Sequence, residues 1–523
     1  MWSVTAVSQI ETADVQGTVR DMATTMPIRD AVVTLTPAAG VPVEVVSDSS
    51  GRFMFTGLRP GRYSVEVSRL GFLLPREVAS PEGLTLAPGQ ELEDVVLRLV
   101  REAVVSGKVL TEEGTPPSDT ARVRALREGY EDGRRMIQCV PSAAVVDERG
   151  EYRLSGLEPG EYYLAVDGCM GLPQYYPNGS DPADAARLRV PAGTEQFVDF
   201  TLSTPETFAV TLRIEPPLPT RENGTLTSAA VRVVRLSRNG ARIPEGGGYT
   251  PTVLEALGNG MYRLARRLAA GSYELYFSSG LTSMQVGHVS FTILDRDVDA
   301  GTLVVPPIVA LRGEMRTIGM PPPGWDASSL RVRLRALDGR HWISMMSVNR
   351  GGMGVAVSTE DDRFAFERVA EGHYYIEVTG MPGGFHLAEA QYGPRDVLDG
   401  GLILEGDEAV PLRLTLAPGG TVSGVVRNRD DEPAAGSLVA LIPPPGRRGN
   451  LGLFRTERAD EQGRFTIAGV APDTYGVLAW ESVLPGAWEN AEFLRPFEVR
   501  AVDVTVEAGS NTTAAVRVIP AGN

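Results

Sequence analysis

One motif recurs five times along the 523 residues and constrains the fold more than any bulk property. It reads Asp-x-x-Gly-x-aromatic, a short turn, then Pro-Gly-x-Tyr and an alternating strand. The first copy runs Asp48-Ser-Ser-Gly51-Arg-Phe53-Met-Phe55, then Pro60-Gly61-Arg-Tyr63-Ser-Val65-Glu-Val67. The second has Asp147, Gly150, Tyr152, Pro159, Gly160 and Tyr162; the fifth has Asp460, Gly463, Phe465, Pro472, Asp473 and Tyr475. The fourth keeps Asp362, Phe364, Gly372 and Tyr374, and the third is degenerate, with Gly258-Asn-Gly260, Tyr262, Gly271 and Tyr273. The five tyrosines are 99, 111, 101 and 101 residues apart, and each follows its aromatic partner by 10 or 11. A period near 100 is too long for a solenoid repeat and matches a complete β-sandwich.

Local physical chemistry points the same way. Asp-x-x-Gly is turn chemistry, the carboxylate bonding its own backbone and Gly supplying positive φ. Asp473 replaces Gly in the fifth copy, and this is read as tolerance of a left-handed backbone. Phe53-x-Phe55 and Tyr63-x-Val65-x-Val67 alternate with period two, as strands buried on one face do. Each repeat opens with a strand of its own (around Val15–Val19, Val105–Val109, Phe208–Leu212, Leu311–Met315 and Val422–Val426) and closes with another. The one helical signal is Asp181-Pro182 through Arg187, an N-cap followed by Pro, predicted to run about two turns. The expectation is an all-β chain: five tandem β-sandwiches, of transthyretin-like or Ig-like type, at 14–102, 103–205, 206–306, 307–419 and 420–523, in an elongated array behind an N-terminal extension, 1–13.

Composition narrows the function. A net charge of −16 repels phosphate backbones and argues against nucleic acid as a partner. No run approaches the ~18 apolar residues of a membrane helix, so no membrane span is predicted. Lys108 is the single lysine among 50 basic residues, which excludes a Lys–Asn cross-link in four of the repeats; in the second, Lys108 is expected to face outward.

The Gly-x-Val opening strand, the Asp-x-x-Gly-x-Phe turn and Gly-Leu-x-Pro-Gly-x-Tyr together resemble the carboxypeptidase regulatory-like domain. The resemblance implies a transthyretin-like, seven-stranded sandwich. Segments around Gln174-Tyr-Tyr-Pro177, Tyr392-Gly-Pro-Arg-Asp396 and Trp488-Glu-Asn-Ala-Glu-Phe493 look like large multi-domain bacterial envelope proteins. That likeness implies an extracytoplasmic, non-catalytic protein, with no cofactor and no particular ligand.

Candidate chemistry is sparse. His386-Leu-Ala-Glu389 has the spacing of two zinc ligands, but no histidine follows it, and the pair is read as a solvated loop. Asp295, Asp297 and Asp299 share one face of an extended segment, which suits either calcium or a charged strand edge. Tyr175 and Tyr176 sit together before Pro177 in a predicted loop and are the candidate glycan contacts, the alternative being that the aromatic residues cap cores and domain junctions. No catalytic, cofactor or metal site is assigned. Cys139 and Cys169 are expected to form a disulfide within the second repeat, against the alternative of two small buried thiols.

Ahead of the first repeat, Trp2, Val4, Ala6 and Ile10 fall on one side of an extended chain, the pattern of a half-buried strand outside any repeat. Three fates are open: folding back on a neighbouring repeat, a leftover of an export signal, or donation to a sheet edge of another copy. The functional expectation is a non-enzymatic structural or adhesive protein, extracellular or at the cell surface. Its partners would be further copies of itself in head-to-tail filaments. A carbohydrate-binding array recognising surface glycans is the alternative.

Overall fold

A computed structural model describes residues 12–38, 40–75, 83–117, 121–167, 173–177, 179–203, 206–218, 229–238, 240–244, 253–279, 286–337, 354–356, 362–406 and 410–521. The chain is all-β, and the few helical pieces are single turns. It divides into two compact units, 1–127 with 139–204, and 128–138 with 205–523.

Both units repeat one pairing scheme. The opening strand Ala13–Asp21 runs antiparallel to Arg52–Leu58, which carries the Phe53-x-Phe55 pair, and parallel to the closing strand Glu91–Arg101. Ala103–Thr111 is flanked in the same way by Glu151–Leu157 and by the closing pieces Glu195–Phe197 and Phe200–Leu202. In the second unit Val210–Glu215, Ile308–Thr317 and Gly420–Arg427 each take an antiparallel partner from the motif and a parallel closing strand. The tyrosine strands (Gly61–Ser68, Gly160–Asp167, Gly271–Ser279, Gly372–Thr379 and Asp473–Trp480) build the facing sheets, each antiparallel to the strand that precedes the motif. Side chains from the two sheets enclose a core in each segment, such as Val15, Phe55, Tyr63 and Leu99 in the first and Val422, Phe465, Tyr475 and Val516 in the fifth.

The turn chemistry is as the sequence predicts. Asp48 Oδ1 accepts from the N–H groups of Ser50 and Arg52, both at 2.8 Å, while Gly51 has φ of 71°. Asp147 and Asp460 do the same in their copies. In the degenerate third copy Asn259 takes the left-handed conformation, with φ of 52°.

Three local expectations fail. Pro182–Asp184 is a single 3-10 turn: Asp181 caps it by accepting from Ala183 N at 2.8 Å, but Ala185 is already extended, so no second turn forms. Asp473 is not among the residues with positive φ, whereas Gly61, Gly271 and Gly372 have φ of 149°, 154° and 157°. His386 lies in the strand Phe385–Tyr392 rather than a loop, with its ring buried.

In the fifth segment the second sheet is covered again on its outer side. The stretch from Ala487 to Arg500 folds into short turns whose Leu494 and Phe497 pack with Trp480, Leu478 and Ile519. Trp480 is 2% exposed and makes an edge contact with Phe497 at 5.8 Å.

Candidate functional site

The recurring tyrosines do structural work. Tyr63 Oη donates to the carbonyl oxygen of Arg59 at 2.8 Å, Tyr162 to Glu158 at 2.6 Å, Tyr273 to Ala269 at 3.0 Å and Tyr374 to Ala370 at 2.7 Å. Each bond closes back over four residues, a tyrosine-corner arrangement that ties the start of the strand to the turn before it. Tyr475 departs from the series. Its hydroxyl is buried without a hydrogen bond, and burial pushes it up to about 12.

The sequence-predicted sites scatter. Tyr175 is 1% exposed and Tyr176 packs edge-on against Phe200 at 5.8 Å, against the core of the second segment, so the two rings form no exposed platform for a sugar. Trp325 and Trp488 also pack against cores, and Trp325 Nε1 donates to Gly380 O at 3.0 Å. His386 and Glu389 do not converge: His386 is buried, while Glu389 is exposed and accepts from Thr415 Oγ1 at 3.2 Å. Asp295, Asp297 and Asp299 are exposed and separately engaged, with Arg296, with Ala209 N and Arg267, and with Gly301 N respectively. Lys108 points outward, its Nζ 3.3 Å from Glu151 Oε1. Cys139 is half-buried; Cys169 lies outside the described residues, as do Trp2, Val4, Ala6 and Ile10.

Among the described residues, one polar constellation escaped the sequence reading. It lies where the fourth segment meets the fifth, which are joined by Gly419 between the strands Leu412–Pro418 and Gly420–Arg427. Arg447 grips Asp399 through Nε at 2.7 Å and Nη2 at 3.1 Å, and reaches Asp473 through Nη1 at 2.6 Å. Burial opposes the charge on Arg447, but the hydrogen bonds from both carboxylates outweigh it and raise its pKa. Asn450 Nδ2 donates to Leu398 O at 3.2 Å and to Asp399 Oδ1 at 3.1 Å. Asp473 thus stands in the Pro-Gly-x-Tyr position for its carboxylate. The signal was present in the sequence as the one copy in which the glycine becomes an acid.

A second set of contacts in this unit involves residues 128–138. Arg335 pairs with Asp132, Asn490 Nδ2 donates to Gly133 O at 2.8 Å, and Tyr130 meets Phe493 edge-on at 5.8 Å. Asn490 also caps the turn Ala491–Leu494 by accepting from Phe493 N at 2.8 Å. Burial raises Glu131 to about 6 against the attraction of Arg335, and raises Glu489 as well.

Beside the Arg447 clamp is a cavity of about 300 Å³. Its walls are apolar over Leu387, Leu451 and Phe454, with Arg455 and His386 among the polar lining and Glu377 and Glu489 also contributing. Burial and then the neighbouring Arg455 charge lower the pKa of His386.

Residues 14–100 match the family model of the carboxypeptidase regulatory-like domain. No curated protein matches the chain. Among solved structures, the Bacillus anthracis TIE protein is 11% identical over 56% of this chain, with a TM-score of 0.17; the chain spans half the length of that protein. A streptococcal ancillary pilin is 12% identical over 61% of this chain and 99% of its own, with a TM-score of 0.21. BcpA, the major pilin subunit of Bacillus cereus, is 10% identical over 56% and 99%, with a TM-score of 0.16.

Proposed function

We propose that this chain is a non-enzymatic structural or adhesive protein of the cell surface, a tandem array of five β-sandwiches whose junctions bear load. The observation that carries the reading is the Arg447 clamp. One guanidinium holds a carboxylate from each of two consecutive segments across a connection of one residue. Polar clusters in a catalyst converge on a pocket where a substrate atom sits. In this clamp both carboxylates turn to one guanidinium rather than to a pocket, which favours a mechanical role. The experiment is single-molecule extension of the full chain with and without Asp399→Ala. A structural role predicts a lower force, or a lost intermediate, for the event that separates the last two segments. Unchanged traces would count against it.

Head-to-tail assembly is the finer form of this proposal. The strand Val43–Val46 is an edge of its sheet, with Val43 and Val46 exposed and Glu44 its one charge. Edges this bare invite a strand from another chain. The alternating segment from Trp2 to Ile10 has the composition to supply one. Removing residues 1–13 is expected to turn filaments into monomers by electron microscopy. A monomeric full-length chain at high concentration would overturn the assembly reading while leaving the structural one standing.

A further inference from the structure

Arg455 opens the strand Arg455–Arg458, and its guanidinium is half-buried at the cavity between the last two segments. Among the described residues it makes no side-chain hydrogen bond and no ion pair, unlike Arg447 close by. A guanidinium is always charged and carries five donors. Burial strips part of the solvent from this cation and lowers its pKa, and a carboxylate acceptor would make good that loss. His386, 6% exposed, lines the same cavity, and its Nδ1 also has no partner. An arginine without a partner and an unpaired imidazole nitrogen therefore line one recess of mixed polar and apolar character, with Leu387, Leu451 and Phe454 forming its apolar part.

We propose that this cavity binds a small monocarboxylic acid, its carboxylate paired with the Arg455 fork and its apolar body against Leu387, Leu451 and Phe454. Several observations select that chemistry. The planar guanidinium matches a planar carboxylate in bidentate geometry. The lining carries two arginines, Arg335 and Arg455, and two glutamates, Glu377 and Glu489; Arg335 is paired with Asp132, which leaves Arg455 to offset a single negative charge rather than two. A volume of about 300 Å³ lies at the small end of ligand pockets, which suits a short aliphatic chain rather than a polymer. The cavity lies beside the clamp joining two segments, so an occupant would tie binding to the stiffness of that junction.

The test is calorimetric titration of the full chain with hexanoate, and separately with hexylammonium, 1-hexanol and inorganic phosphate. Hexanoate alone is expected to bind. Arg455→Gln is expected to weaken it about 10- to 100-fold, the effect of one charge-assisted contact. Because that variant could lose its fold, the unmodified protein supplies a second readout. Phenylglyoxal should label Arg455, by peptide mass mapping, and hexanoate should protect it where hexylammonium does not. Absence of hexanoate binding, binding of hexanol as tight as hexanoate, phosphate binding in its place, or labelling of Arg455 unaffected by hexanoate would each overturn the proposal. None of these outcomes bears on the extension measurement with Asp399→Ala.

Discussion

Gly424 sits directly opposite Phe465 across an antiparallel ladder, and the ring lies over the glycine so closely that a Cβ there would come within 2.8 Å of it and 1.9 Å of the Ala514 carbonyl oxygen. The same pairing joins Gly17 to Phe53, Gly107 to Tyr152 and Gly313 to Phe364. At Gly17 and Gly424 both the aromatic ring and the closing strand crowd the space a Cβ would take; at Gly313 the Phe364 ring alone does, and at Gly107 the closing segment at Val198. In the degenerate third copy Leu212 faces Tyr262 instead. Gly424→Ala is expected to destabilise the fifth segment by about 1–3 kcal/mol through overpacking. Hydrogen exchange of its core strands in the full chain would read the change, and unaltered protection would show that the ring simply moves aside.

The tyrosine series supplies an internal control. Tyr63→Phe and Tyr374→Phe each remove a bond to a backbone carbonyl and are expected to cost about 1 kcal/mol. Tyr475→Phe removes a buried hydroxyl that bonds to nothing, so it should be neutral or mildly stabilising. Denaturant unfolding of the three variants gives the comparison. Equal losses at all three positions would mean that the hydroxyls act through packing alone.

Both lessons bear on what a single sequence discloses. The succession of strands and the Asp-x-x-Gly turns were legible because alternation and turn chemistry act over a few residues, and five copies made them visible; the aromatic–glycine pairs appear only once the sheets are formed. Asp399, Arg447 and Asp473 were not, since 48 residues separate Arg447 from Asp399 and only the folded sheets bring them together. Tyr175 misled for a related reason: an aromatic pair before a proline suggests a loop, and only the strand Gln174–Tyr175 pairing with Gly160–Asp167 turns the ring inward. The same holds for His386, whose burial follows from cross-strand pairing with Ala417.

Asp399→Asn should cost about 1–2 kcal/mol, less than a fully buried pair would, because the Asp399 side chain is 38% exposed and Arg447 keeps Asp473. A double-mutant cycle with Arg447→Met isolates the pair. A coupling energy near zero would make the clamp incidental to the junction.

Glu131 gives a pH dependence with a defined sign. Its carboxyl protonates at about 6 in the folded chain, above its ordinary value of 4.5, because burial outweighs the pull of Arg335. The folded state thus holds this proton more tightly than the unfolded one. Its contribution is full below about 4.5 and is lost as pH rises through 6. Glu489 shifts in the same direction. Glu131→Gln should therefore raise stability at pH 8, by roughly 1–2 kcal/mol, and flatten the melting-temperature profile between pH 5 and 7. A variant that melts lower than the parent at pH 8 would contradict this origin.

The central claim is that consecutive sandwiches in this chain are locked together as a structural unit. Pulsed electron–electron resonance on the full chain, with both native cysteines replaced by serine and spin labels at the exposed positions Ile403 and Val499, measures it directly. The account predicts one narrow distance distribution that broadens when Arg447 is replaced by Met. A broad distribution in the parent chain, unchanged by that substitution, would contradict it.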